Sequence, residues 1–167
     1  MSVTVPKPGT HGSRFPKLPG WLTRFFSGLQ LRMFRRSHGG RTQGGIPALI
    51  LETIGARSGE VRHAMLGYLE AGAGEWLVVA SLAGTARNPA WLHNLARRPT
   101  ATIELGDGRR VPVEATTLSG PELDAAWGRI AADAPEYAKY RTVTDRSIPV
   151  VRLREVPRDA SLSPPGG

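Results

Sequence analysis

The spacing of apolar positions changes along this chain, and the changes mark out its elements. From Trp21 to about Arg36 the period is helical: Trp21, Leu22, Phe25, Phe26, Leu29 and Met33 fall on one arc. Leu31 and Phe34 lie off that arc, and Arg32 and Arg36 interrupt it. Gly39-Gly40 stops the helix, and Gly44-Gly45 adds a flexible link. The pattern then shortens to that of strands. Ala48–Thr53 is a short apolar run, a turn follows at Gly55–Gly59, Val61–Leu69 is a second strand, and Ala71–Gly74 closes a hairpin to Glu75–Ala80. A helix is predicted from Asn88 as its cap, with Pro89 in its first turn, to just before Pro99. Thr100–Leu105 and Arg110–Thr117 flank the hairpin turn Gly106-Asp107-Gly108. Gly120–Asp133 reads as a helix, Glu136–Arg141 as a turn or two more, and Ile148–Val156 as a last strand, weakened for a central place by Pro149.

Hairpin-joined strands with inserted helices point to a mainly β, α+β fold: a small barrel with an N-terminal helix. A doubly wound dinucleotide-binding sheet would need repeated strand–helix–strand units and a glycine fingerprint after its first strand, and the chain has neither. Four segments follow: residues 1–20, rich in Pro, Gly and Ser/Thr and expected to be disordered or loosely draped; 21–45, helix and linker; 46–156, the barrel; and 157–167, a tail.

Charge sharpens this division. The formal net charge is +8. Met1–Arg41 carries Lys7, Arg14, Lys17, Arg24, Arg32, Arg35, Arg36 and Arg41 and no acid, so the remainder is balanced. A nucleic-acid-binding domain would spread basic residues over its folded face among stacking aromatics, so no nucleic-acid partner is expected. The basic apolar helix fits weak contact with an anionic membrane. It fits equally a helix that covers the barrel, its arginines in solvent. No run reaches the roughly 18–20 apolar residues of a membrane span, and no secretory signal is evident. Cysteine is absent, which removes thiol chemistry and fits a reducing compartment. A cytoplasmic location is expected, peripheral to the inner membrane face if the helix binds lipid. Oligomerisation stays open. The histidines, His11, His38, His63 and His93, show no metal spacing.

Four constellations carry chemistry. In Gly55-Ala56-Arg57-Ser58-Gly59-Glu60-Val61-Arg62, a tight turn offers backbone N–H groups and guanidinium forks to an anion, or is a hairpin with surface arginines. Ser81-Leu82-Ala83-Gly84 after an apolar strand lets a planar ligand approach the backbone, or is a plain loop. Trp91, Asn94 and Leu95 share a helical face, either at a ligand or as core, with Asn94 tying down a loop. Tyr137 and Tyr140 suit a substrate pocket or helix packing, and Asp145-Arg146 reads as a local ion pair.

In their order and spacing, GARSGEVR, VVASLAG, NPAWLHNL and TDRSIPVV resemble the deazaflavin-dependent nitroreductase family of actinobacteria, over about Pro47–Val151. The resemblance implies a split β-barrel, flavin-reductase-like. It also implies binding of reduced coenzyme F-420, a deazaflavin, and hydride transfer to nitroaromatics, quinones or other activated unsaturated small molecules. FMN is the alternative cofactor, and a non-catalytic deazaflavin- or flavin-binding module the alternative function. By position, Arg57, Ser58 and Arg62 would meet the cofactor's phosphate and tail, and Met65 and Leu66 would flank its ring. Ser81, Ala83 and Gly84 would supply loop contacts, with Trp91 and Asn94 completing that side. Tyr137 and Tyr140 would face the substrate, and Ser81 is the third catalytic candidate. The chain departs from the family at Ala56, which removes a cation, at Leu82, replacing a lysine, at Ala83, replacing a glycine, and at Ala134 and Val143, replacing aromatics.

Overall fold

A computed structural model describes residues 2–14, 19–42 and 45–157, and of residues 20–27 the backbone alone. The order is α1 (Gly20–Arg36), β1 (Ala48–Ile54), β2 (Val61–Gly72), β3 (Glu75–Val79), a 3-10 turn (Leu82–Gly84) and α2 (Ala90–Arg97). There follow β4 (Thr100–Glu104), β5 (Arg110–Thr117), α3 (Gly120–Asp133), α4 (Pro135–Val143) and β6 (Val150–Glu155). The strands close into an antiparallel barrel in the order β1-β2-β3-β6-β5-β4. The expected α+β barrel with an N-terminal helix is therefore the observed fold.

The alternation of side chains along each strand explains the layers. Leu49 and Leu51 of β1, Trp76 and Val78 of β3, and Val151 and Leu153 of β6 fill the interior, and α2 adds Trp91, Leu92 and Leu95. Their outward neighbours are covered as well. Leu77 of β3 and Val150 of β6 pack against Trp127 and Ile130 of α3, which is why β3 reads as an unbroken apolar run from Trp76 to Val79. β6 lies between β3 and β5, a central place. Pro149 does not weaken it, because that residue precedes the strand and offers only its carbonyl, to the Ala80 N–H.

Three expectations change. The cap of α2 is Pro89, without a side-chain cap bond. Asn88 instead donates to the Pro6 carbonyl at 2.7 Å. Residues 2–14, assigned from composition to a disordered or draped segment, are fastened to the body. Val3 is buried in the barrel core, and Thr4, Gly9 and Ser13 donate backbone bonds to Thr117, Ala86 and Gly84. Helix α1 docks by a face its apolar arc did not mark. Phe34 (3% exposed) packs with Leu31 on Ala48 and Ile50, whereas Leu29 (44%) and Met33 (62%) face solvent. The side chains of Trp21, Leu22, Phe25 and Phe26, and the tail beyond residue 157, lie outside the described residues. At the C-terminal end of α1, Arg35 grips the buried Glu104 carboxylate with two bonds of 2.8 Å, which holds that acid below the usual carboxylate range.

Candidate functional site

The β1–β2 turn forms because Gly55 and Gly59 close it: the Gly55 N–H bonds the Glu60 carbonyl and the Gly59 N–H the Gly55 carbonyl. It presents Arg57 and Ser58 to solvent. Arg62, at the start of β2, donates to the Ser58 hydroxyl at 3.3 Å and pairs with Glu60 at 3.0 Å. Arg57 has no partner among the described residues. The turn is braced from below by Asn94 on α2. Its amide oxygen accepts the Ala56 N–H at 2.9 Å, and its amide nitrogen donates to Thr53 at 3.0 Å. Asn94 thus ties down a loop, and Trp91 is core beside Leu92 and Leu95.

Met65 and Leu66 cannot flank one planar ring from the same side, because successive residues of β2 point to opposite faces. Leu66 packs on the interior core, whereas Met65 (38% exposed) is on the outer face. Two residues further along that face is Gly67, where a Cβ would run into the Tyr137 hydroxyl at 2.6 Å. Tyr137 meets Thr42 and the Gly67 backbone, and burial pushes its hydroxyl above the ordinary tyrosine range. Tyr140 stands edge-on to it, ring centres 5.9 Å apart. Both also pack on the cluster around Trp127 and Ile130, so each serves the helix layer whatever else it does.

The Ser81–Gly84 turn reaches the same helix. Gly84 has no space for a Cβ because Val143 and Tyr140 of α4 abut it. Leu82, Ala83 and Gly84 have φ of +42°, +52° and +73°, a left-handed run that costs Leu82 and Ala83 strain. Ser81 is buried. The β1–β2 turn with α2 and the Ser81–Gly84 turn with α4 make up the candidate band: Asn94 links the first pair, Val143 and Tyr140 the second, and Tyr137 brings α4 to the outer face of β2 at Gly67. From Arg62 to Gly67 is five residues, about 17 Å of strand. A cavity of about 350 Å³ opens elsewhere, between His38–Arg41, Tyr68 and the Leu105–Arg109 hairpin, and none of the site residues nominated from sequence lines it. The pocket beside Gly67 and Tyr137 holds only about 10 Å³. Among the described residues no group of acids and histidines could hold a metal ion.

Sequence reasoning missed two parts of this band. Asp145 and Arg146 do not pair with each other. Asp145 takes the Thr10 hydroxyl at 2.6 Å, whereas Arg146 is buried and bonds the carbonyls of Ala80, Ser81 and Thr85. The signal available was the run Thr144–Pro149, polar residues before a buried strand, which fits a surface loop equally well.

Residues 27–155 match the family model described as F-420H(2)-dependent quinone reductase. The chain belongs to this family. It is 35% identical over 117 residues to the F-420H(2)-dependent quinone reductase of Mycobacterium tuberculosis, covering 69% of this chain and 78% of that protein. Among solved structures, an F-420-H2-dependent reductase aligns at TM-score 0.58 and 34% identity, over 64% of this chain and 93% of the other. A domain-swapped dimer aligns at 0.60 and 30%, over 80% and 99%. The chain is thus an oxidoreductase of the F-420-dependent quinone reductase class at family level. The fastened segment 2–14 lies outside the family match.

Proposed function

We propose that this protein binds reduced coenzyme F-420 along the band on β2 and reduces a quinone-like, nitroaromatic or other activated unsaturated small molecule. The observation that carries the reading is the layout around β2: a cationic turn at its start, and a tyrosine pair of α4 at Gly67 in its middle, with the strained Ser81–Gly84 turn against the same helix. The donor set fits the group. Two guanidinium groups, one of them without a partner among the described residues, and a hydroxyl suit a phosphate and carboxylate tail. When bound, the deazaflavin supplies the hydride. The chain's own part is to bind, orient, exclude water and hold a proton. Arg57, Ser58 and Arg62 anchor the tail, and Asn94 acts through the turn it braces. Met65 borders the ring from the outer face of β2, while Ser81, Ala83 and Gly84 offer it backbone at close range. Tyr137, with its hydroxyl kept protonated by burial, holds the proton that a reduced acceptor needs, and Tyr140 fixes its ring.

The test is fluorescence titration of the purified protein with coenzyme F-420, followed by oxidation of the reduced cofactor on adding a soluble quinone. Micromolar or tighter binding with turnover is expected. Tight binding without turnover on any acceptor would make the protein a binding module, and a yellow protein retaining FMN would replace the cofactor.

A second reading concerns location. Leu29 and Met33 remain exposed beside Arg32 and Arg36, so part of the apolar arc of α1 has no partner in the fold among the described residues. We propose that this face rests weakly on anionic lipid at the inner side of the membrane of a cytoplasmic protein, each nearby cation contributing on the order of 1 kcal/mol. Co-sedimentation should be salt-sensitive and confined to anionic vesicles; equal retention by neutral vesicles, or none by either, would refute it.

A further inference from the structure

Arg146 is 5% exposed and 62 residues beyond the Ser81–Gly84 turn in sequence terms measured to Gly84. No carboxylate among the described residues pairs with it, and burial pushes its pKa down. Its donors are nevertheless all directed. Nε donates to the Thr85 carbonyl at 2.9 Å, and Nη2 to the carbonyls of Ala80 at 3.0 Å and Ser81 at 2.7 Å. Nη1 donates to the Asn88 amide oxygen and the Ser147 carbonyl, both at 3.3 Å.

Three of these acceptors bracket the turn that holds Leu82 and Ala83 in the left-handed region. Among the described residues, the turn's own backbone bonds within the bracket are those from the Gly84 N–H to the Ser81 carbonyl and from the Thr85 N–H to the Leu82 carbonyl. Two successive non-glycine residues at positive φ persist only where the surroundings over-determine them. We propose that Arg146 is a positioning residue for the cofactor turn: its guanidinium fork draws the carbonyls on either side inward and so fixes Ser81–Gly84 in the shape offered to the ligand. The proposal rests on the functional reading above for its ligand, not for the clamp itself. Arginine is the residue that can do this. Its planar fork reaches three carbonyls in different directions, whereas the lysine ammonium is a single point on a flexible stem. The charge, left without a carboxylate, also makes the potential at the turn more positive, which favours an anionic ligand. The segment 9–13 closes the same loop from outside, since the Gly9 and Ser13 N–H groups bond the Ala86 and Gly84 carbonyls.

The experiment compares the full-length protein with Arg146→Lys, Arg146→Lys/Ala83→Gly and Ala83→Gly. Each is read by amide hydrogen exchange of residues 82–85 without ligand and by the dissociation constant for coenzyme F-420. In Arg146→Lys, exchange across 82–85 should accelerate at least tenfold and the dissociation constant should rise about tenfold or more. Adding Ala83→Gly should recover most of the affinity, because glycine adopts positive φ without strain; a loss of general stability would not be rescued in this way. Wild-type exchange in Arg146→Lys overturns the clamp, and faster exchange with unchanged affinity overturns its link to the ligand. If Arg146→Lys does not fold, the double variant decides: recovered folding and affinity support the proposal, and failure of both overturns it. A wild-type protein that does not bind coenzyme F-420 refutes the functional reading, while the exchange measurement still tests the clamp.

Discussion

Arg62 shows how one side chain carries an expectation that the structure refines. Its guanidinium pairs with Glu60 and Ser58 in the turn rather than standing free, so part of its charge is already engaged. A charge-assisted bond to a cofactor phosphate contributes roughly 1.5–3 kcal/mol. Arg62→Ala should therefore raise the dissociation constant for coenzyme F-420 about ten- to a hundredfold with the fold intact, and unchanged affinity on titration would remove the anion site. Tyr137 lies at the other end of the band. Tyr137→Phe keeps the ring that packs on the helix layer and deletes the hydroxyl beside Gly67 and Thr42. Turnover should fall while cofactor affinity and thermal midpoint stay near wild type. Parallel losses of all three would assign the hydroxyl to structure.

Two elements fasten to the barrel by contacts that periodicity did not mark. On an α-helix Leu29 and Met33 lie roughly 150° around from Leu31 and Phe34, at 100° per residue. Among the described side chains, Leu29 and Met33 of the longer apolar arc are left outward, and Leu31 and Phe34 dock. Phe34→Ala should destabilise the protein by about 3 kcal/mol, measured by denaturant unfolding. Met33→Ala should change stability by less than about 0.5 kcal/mol, as exposed positions do. Within segment 2–14, residues 10 and 11 are held by Asp145, whose carboxylate accepts the Thr10 hydroxyl and N–H and the His11 N–H. Those bonds, the Thr10 hydroxyl first, lower its pKa from 3.8 to about 2. A carboxylate depressed on folding contributes fully above its ordinary value and loses that contribution as pH falls through the folded one. Residues 10 and 11 should thus stay fastened above pH 3.8 and loosen as pH approaches about 2. Amide shifts of Thr10 and His11 should report this, and in Asp145→Asn the transition should vanish.

For the molecule as a whole, a ligand that binds only the folded state raises its stability by mass action. Coenzyme F-420 at a hundred times its dissociation constant should add about 2.7 kcal/mol, a rise of roughly 5–11 °C in thermal midpoint for a domain of this size. FMN at the same concentration should leave the midpoint unchanged, and the opposite ranking would exchange the cofactors. The barrel makes such linkage plausible in physical terms. A ligand held between the β1–β2 turn and Gly67 would touch that turn and α4, elements far apart in sequence that the closed sheet holds together.

What the sequence by itself determined is local. Alternation and glycine-rich turns placed the strands within three residues at either end, because each hairpin is decided by neighbours in the chain. The ordered motifs gave the family, and Gly55–Gly59 was recognisable as a tight turn with exposed cations. Only the tertiary structure decided which apolar face of α1 docks, since burial depends on what the barrel offers opposite, here Ala48 and Ile50. It decided that Asn94 braces the β1–β2 turn and that Met65 and Leu66 part company across β2. It also decided that Asp145 and Arg146, adjacent in sequence, turn away from each other, one toward residues 10–11 and the other toward the Ser81–Gly84 turn. The physical reason is common to all of these. A polar side chain is committed by the partner that satisfies it, and here the partners come from chain segments tens of residues away, brought within 3 Å only by closing the barrel.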